Sequence, residues 1–205
     1  MPSIEPPADF GTSQLRLHTV PAGDIYGRIY LARYANPLGY GKTKSRFSDP
    51  RRRVEANRFG VLYLGKTIKV CFLEALLRDR RDGRIGDLPI AESELQERHY
   101  ASVRTKEELR LVDLRDDGPV IMGVPTDVAK ASQQTLARKW AVAFHEHPEM
   151  PDGIIYPSRL NGHTNLAVFN RAIPKLEPTK VYRLIGAPGL ARVLDDLKVA
   201  IVEPD

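Results

Sequence analysis

The sequence predicts an α+β fold in one globular unit. Strand-like and helix-like segments interleave without a regular βαβ rhythm or an internal repeat, which argues against a doubly wound sheet. A chain of 205 residues, 42% of them hydrophobic, suits a single domain with a substantial core. Residues 1–13, rich in proline and polar groups, are expected to form a flexible segment, with the folded unit running over 14–205.

Each element has a local reason. LRLHTV (15–20) and IYGRIYLARY (25–34) read as extended segments, and Pro37, Gly39 and Gly41 then break regular structure across ANPLGYGKTKS. FGVLYLG (59–65) is the clearest strand, closed by Gly65. Thr67 is a suitable N-cap for a helix reaching Arg81, because Val70, Leu73 and Leu77 recur at helical spacing. A charged, glycine-bearing exit follows from Arg78 to Pro89. ELRLVDL (108–114) reads as a strand, PTDVAKASQQTLARKWAVAFHEH (125–147) as one long helix, and GIIYPS (153–158) as a strand entering a turn. KVYRLI (180–185) and a short helix near Leu190–Leu197 complete the chain.

Three polar residues stand where the pattern calls for bland ones: Arg46 in TKSRFSDP, Glu74 in KVCFLEALLRD and Ser158 in GIIYPSRLNGHTN. Glu74 falls within an apolar helical stripe. Enclosing a carboxylate there costs several kcal/mol, roughly, unless cations or hydrogen bonds compensate. The bland alternative is an exposed Glu74/Arg78 pair, worth about 0.2–0.5 kcal/mol. Arg46 sits in a glycine-bearing loop and offers a planar, permanently charged fork for an anion. Ser158 lacks a G-x-S-x-G elbow, so orienting a ligand fits it better than nucleophilic attack.

Other motifs are set aside on physical grounds. Gly60–Thr67, GVLYLGKT, matches the phosphate-loop pattern, yet its four central residues are strand-like and cannot wrap a phosphate. His145 and His147, two residues apart near a helix end, point in different directions, and no metal site is expected. Cys71, the single cysteine, reads as a small buried hydrophobe. Arg51–Arg53 reads as a solvated turn. The net charge of +5 suits nucleic acid, an anionic ligand or an acidic protein equally.

In their order, PLGYGKTKSRFSDP, FGVLYLGKTIKVCFLEALLRD and GIIYPSRLNGHTNLAVF resemble the RES domain, a toxin family named for its arginine, glutamate and serine. The resemblance runs over roughly residues 14–175. It matches Arg46 to the family arginine, Tyr63 to the tyrosine ending its strand, Glu74 to the helical glutamate and Ser158 to the late serine. Asp49–Arg58 departs from it, being longer than the expected turn.

The resemblance implies an ADP-ribosyltransferase-like fold of split β-sheets with flanking helices. It also implies a toxin that degrades NAD at the nicotinamide–ribose bond, with NAD as substrate and no separate cofactor. Arg46, Glu74 and Ser158 would be catalytic, while Arg46, Tyr63 and Ser158 would bind NAD. Water, phosphate or a protein as acceptor would make it a glycohydrolase, a phosphorylase or an ADP-ribosyltransferase. The implied partner is an Xre-type helix-turn-helix antitoxin; a homodimer is left open.

Two other classes stand beside this reading. One is a basic nucleic-acid-binding module using Lys42, Lys44, Arg46 and Arg51–Arg53 with Tyr40 and Phe47; the other is a structural partner protein with no turnover. No run of 18 apolar residues is present, and MPSIEPPADFG lacks a signal-peptide pattern, so the expected location is the cytoplasm, with no membrane and no direct nucleic acid.

Overall fold

The computed structural model of the chain describes residues 5–51, 54–78, 80, 83 and 85–203. Its strands are β1 (Leu17–Val20), β2 (Ile25–Leu31), β3 (Val61–Gly65), β4 (Leu88–Ala91), β5 (Arg98–Thr105), β6 (Leu109–Asp113), β7 (Gly153–Pro157), β8 (Thr164–Phe169), β9 (Leu176–Arg183) and β10 (Val199–Val202). The helices are α1 (Ile68–Phe72), α2 (Glu92–Gln96), α3 (Gly118–Ile121), α4 (Asp127–Lys130), α5 (Thr135–His145) and α6 (Leu190–Asp196).

Eight strands form one sheet in the order β1-β6-β7-β8-β3-β2-β5-β9, and β4 pairs with β10 in a separate parallel ribbon. The large sheet is itself split. β3 pairs with β8 along its whole length, and β2 does the same with β5, but β2 and β3 meet only at Gly27 opposite Gly65. Five strands therefore lie on one side of this joint and three on the other.

Steric reasons require glycine at both positions. A Cβ on Gly27 would stand 2.6 Å from the Tyr100 hydroxyl oxygen and 3.0 Å from Cys71 Sγ, and one on Gly65 would stand 2.9 Å from the same sulfur. Helix α1 is thus pressed onto the joint through Cys71, which is buried as its sequence context predicts.

Alternation along the strands gives the sheet two apolar faces. Val61, Ile154, Ala167 and Phe169 face α5, where Trp140 and Phe144 are fully enclosed. Leu62, Leu64, Ile155, Leu166 and Val168 form the other face. A third cluster joins Phe72, Leu76, Ile90, Leu95, Leu184 and Leu190 beneath α1, α2 and α6.

Several expectations change. Phe10 does not trail: it is buried, with its ring edge-on to Trp140 at 4.9 Å, because an aromatic in a polar tail finds its apolar contact on α5. The helix expected over 125–147 is two helices, broken at Ala131, whose backbone is extended, and the polar residues after it. The helix expected to reach Arg81 ends at Phe72 and continues as a π turn over Leu73–Leu77; Arg81 lies outside the described residues. Thr67 caps α1 as predicted, its side chain accepting from the Val70 amide at 3.3 Å. Strands β4, β5, β8 and β10 and helix α2 have no counterpart in the sequence reading, and β9 begins at Leu176 rather than Lys180. Among the described residues no helix is long and apolar enough to cross a membrane.

Replacing Gly27 by alanine forces Tyr100 or Cys71 aside and is expected to cost about 1–3 kcal/mol. Urea denaturation monitored by far-ultraviolet circular dichroism measures this, and an unchanged midpoint would show that the joint accommodates a side chain.

Candidate functional site

Where β2 and β3 diverge, the sheet opens into a cavity of about 220 Å³. β2 contributes Gly27, Arg28 and Ile29, and β3 contributes Tyr63, Leu64 and Gly65. Cys71, Glu74, Ala75 and Arg78 cover it from the helical side, while Ser45, Arg46, Tyr156 and Asn165 close the remainder.

Glu74 enters this space from the π turn. Such a turn widens the helix by one residue and rotates the side chains that follow it, a distortion frequent at functional sites. One carboxylate oxygen, Oε1, accepts from Ser158 Oγ at 2.8 Å and from Asn165 Nδ2 at 3.1 Å; the other, Oε2, accepts from Arg78 at 2.5 Å. The expected Glu74/Arg78 pair therefore exists, while the carboxylate is only partly enclosed, its side chain 18% exposed. Ser158 is buried, and its Oγ also accepts from the Leu160 amide at 3.2 Å within the tight turn between β7 and β8.

Arg46 is only 4% exposed. Its Nη1 donates to the carbonyl of Ala131 at 2.9 Å, a group available because the long helix is broken there. Burial pushes the Arg46 guanidinium below its ordinary value, against the opposing influence of Tyr156, Glu74 and Tyr63. Its loop is fastened from below. The Tyr63 hydroxyl accepts from the Phe47 amide at 2.9 Å and shares a hydrogen bond with the Ser45 hydroxyl at 2.9 Å. Tyr63 lies within β3 rather than at its end, so its ring lines the cavity while its hydroxyl holds the arginine loop. Burial raises its phenol above the usual value, keeping it protonated.

The longer segment after Arg46 folds back on itself. Asp49, whose side chain is fully buried, accepts from the Arg51 amide at 3.0 Å and the Arg51 guanidinium at 2.6 Å, and Arg51 reaches Glu146 at 2.5 Å. Burial pushes the Asp49 carboxyl up, but the hydrogen bonds and charge of Arg51 outweigh it and leave the group below 3.8. Arg51 is thus exposed, as the sequence reading expects, and also ion-paired; Arg52 and Arg53 lie outside the described residues.

The structure gathers Arg46, Tyr63 and Glu74 around this cavity, with Ser158 joined to it through its hydrogen bond to Glu74, and adds residues the sequence reading misses. Asn165 and Arg28 are not singled out by the sequence reading, although each is a polar residue inside a strand-like apolar run, TNLAVF and IYGRIYL. Arg28 donates to the Pro37 carbonyl at 2.5 Å, and burial pushes it down to about 10. Tyr156 is fully enclosed, and burial raises its phenol well above 10. Cys71 reaches the wall with its thiol pushed up to about 12 by burial, so it is a neutral surface element.

The motifs set aside have other uses. Gly60–Thr67 spends its central residues in the β3 ladder against β8. Lys66 pairs with Asp24 at 3.1 Å. His147 packs against Ser13, its Nε2 lying 3.1 Å from that carbonyl.

The model of the RES domain family matches residues 22–188. This chain belongs to the RES-domain family. Among relatives of this RES protein, a protein described as "Probable toxin y4kH" from Sinorhizobium fredii is 45% identical over 127 residues, which is 62% of this chain and 100% of that protein. In fold, the RES chain is similar to a chain in the crystal structure of the M. tuberculosis MbcT–MbcA toxin–antitoxin complex. The TM-score is 0.59 at 17% identity, with 88% of this chain and 91% of that one covered.

The end of α5 carries a titratable group with a buried ring nitrogen. His145 stacks on Phe59 at 4.2 Å and 11°, and its Nδ1 is buried with no hydrogen-bond partner. Burial, reinforced by Arg171 and Arg51, lowers its value from 6.5 to about 4. The unfolded chain therefore takes up this proton first on acidification. The stability that neutral His145 contributes is complete above about 6.5 and is lost as pH falls from 6.5 towards 4. His145→Phe keeps the stack and is expected to flatten the fall in melting temperature across that window relative to wild type.

Proposed function

We propose that this RES protein is the toxin of a toxin–antitoxin pair and acts by degrading NAD at the bond between nicotinamide and ribose. The toxin role is supported by the y4kH relative and by the fold shared with a chain of a toxin–antitoxin complex. The observation that carries the chemistry is the Glu74 carboxylate, fixed from both oxygens and aimed into a cavity that is otherwise cationic.

Loss of nicotinamide passes through an oxocarbenium-like state, so positive charge grows at the ribose carbon. A carboxylate already locked in place stabilises that charge without reorganising. Ser158 and Asn165 fix the plane of Glu74, while the walls of the cavity exclude water from the reacting bond. Arg28, Arg46 and Arg78 face one carboxylate, a local excess of positive charge that suits the two phosphates of a dinucleotide. Arg46 is the phosphate fork, and the Tyr63 ring flanks the ribose or nicotinamide. Nicotinamide leaves as a neutral molecule once the ring nitrogen takes the bonding pair. Water or phosphate as acceptor yields a glycohydrolase or a phosphorylase, and a protein side chain yields an ADP-ribosyltransferase.

The nucleic-acid reading is weaker, because Arg51, one member of its cationic stripe, is engaged by Asp49 and Glu146. The partner that fits a toxin of this kind is a cognate antitoxin, of the Xre helix-turn-helix type, which covers the cleft.

Glu74→Gln preserves shape and removes the charge. It is expected to lower the rate of nicotinamide release from NAD by about 10²-fold or more with the fold intact. Expressed without an antitoxin, the wild type should arrest growth and drain cellular NAD, while this variant should do neither. Wild-type turnover in Glu74→Gln would sink the mechanism.

Arg46→Lys keeps the charge but loses the fork and the bond to Ala131, so KM for NAD should rise roughly tenfold. An unchanged KM in steady-state assays would remove Arg46 from substrate binding.

A further inference from the structure

Most hydroxyls around the Glu74 cavity are already spent on the fold. Those of Ser45 and Tyr63 share a hydrogen bond, and Tyr63 also accepts from the Phe47 amide. Ser158, reached through Glu74, donates to that carboxylate and accepts from the Leu160 amide. Tyr156 is different. It lines the same cavity from β7, directly opposite Asn165 of β8, and is only 4% exposed. Burial acts on its phenol first, then Tyr63, Glu74, Arg46 and Arg78 through space, but no hydrogen bond joins the hydroxyl to any described residue.

A buried polar group without a partner asks for an explanation. Among the described residues that are not exposed, His145 Nδ1 is the only side-chain nitrogen or oxygen both sealed from solvent and unbonded. The Tyr156 oxygen, unbonded as well, is therefore not sealed: it touches the open space of the cavity it lines. Phe47 meets its ring edge-on at 4.9 Å, so packing rather than a bond of its own aims the hydroxyl. Burial holds the phenol well above 10, which makes it a hydrogen donor at neutral pH.

An anion is the wrong partner for this donor. The charge of Glu74 reaches the phenol and would repel a phosphate placed beside it, while the charged forks of Arg46 and Arg78 attract phosphate more strongly. A neutral oxygen meets neither obstacle. Size narrows the choice further, because cavities that enclose a whole ligand typically measure about 300–1,000 Å³. At about 220 Å³ this one takes a single end of a dinucleotide.

Resting on the NAD reading above, we infer that the Tyr156 hydroxyl is a further substrate contact, donating to a neutral oxygen at the nicotinamide–ribose end of NAD. Two groups at that end carry such an oxygen: the carboxamide of nicotinamide and the hydroxyls of the ribose. Either bond fixes the leaving group or the sugar against Glu74 without adding charge to the site.

Tyr156→Phe keeps the ring and its packing and removes only the oxygen. Because that oxygen bonds nothing in the fold, the melting temperature should be unchanged or higher, whereas KM for NAD should rise roughly 3–10-fold for one lost bond to a neutral group. Isothermal titration of the full chain with nicotinamide, and separately with ADP-ribose, locates the bond without requiring turnover. Weaker nicotinamide binding with ADP-ribose binding retained would assign it to the carboxamide, and the converse would assign it to the ribose. Wild-type affinity for both probes, with an unchanged KM, would overturn the inference. A lowered melting temperature would show the hydroxyl to be a structural bond and would overturn it too. Wild-type protein that binds a probe through Tyr156 but leaves NAD intact would instead overturn the reaction and leave the contact standing.

Discussion

The arrangement of this molecule depends on the contact between Gly27 and Gly65 beneath Cys71. A sheet whose neighbouring strands pair along their length leaves no room between them, because interiors pack at crystal-like density. Here β2 and β3 share one pair and then part, and α1 seals that pair. The wedge that remains is the cavity. Its floor comes from strand backbone on both sides, so the site rests on the rigid part of the fold, and only the arginine loop has to be brought to it.

The polar groups around that wedge are organised by mutual satisfaction. Glu74 comes from the π turn, Ser158 from the end of β7, Asn165 from β8 and Arg78 from the exit of the helix, so one carboxylate ties four pieces of chain together. Partial satisfaction of such a group would be costly, since a half-buried charge with an unused lone pair has little water to turn to. Arg46 is treated in the same way. Tyr63 holds its loop from β3, Ala131 receives its guanidinium, and the Asp49–Arg51 pairing stiffens the chain that follows.

What the sequence makes legible is local. Thr67 before an apolar stripe signals a capped helix, FGVLYLG signals a strand, and Glu74 within the stripe signals a carboxylate in need of partners; each rests on periodicity within a few residues. What it hides is decided by distant contacts. The π turn arises where α1 must serve both the joint and the third apolar cluster, and nothing in KVCFLEALL announces it. The break at Ala131 is masked because LARKWAVAF and DVAK are both helical in pattern, and only the reach of Arg46 from far upstream makes the gap useful. Strand β5 escapes notice because RHYASVRT alternates weakly, its burial arising from β2 and β9 on either side. Asn165 was inside the quoted serine segment, but its role required knowing that the strand after the turn folds back beside Tyr156.

The burial of Arg46 has a thermodynamic consequence. Stripping water from a guanidinium is unfavourable, and in this protein that step is completed when the chain folds rather than when a ligand arrives. The empty fold therefore carries a deficit that an apolar side chain at the same place would not impose. On the proposed reading, an anion entering the cleft would meet a donor that is already dry and already aimed, so little of its attraction would be spent on rearrangement. The deficit would then be relieved, and occupancy of the cleft would become a source of conformational stability for the whole domain.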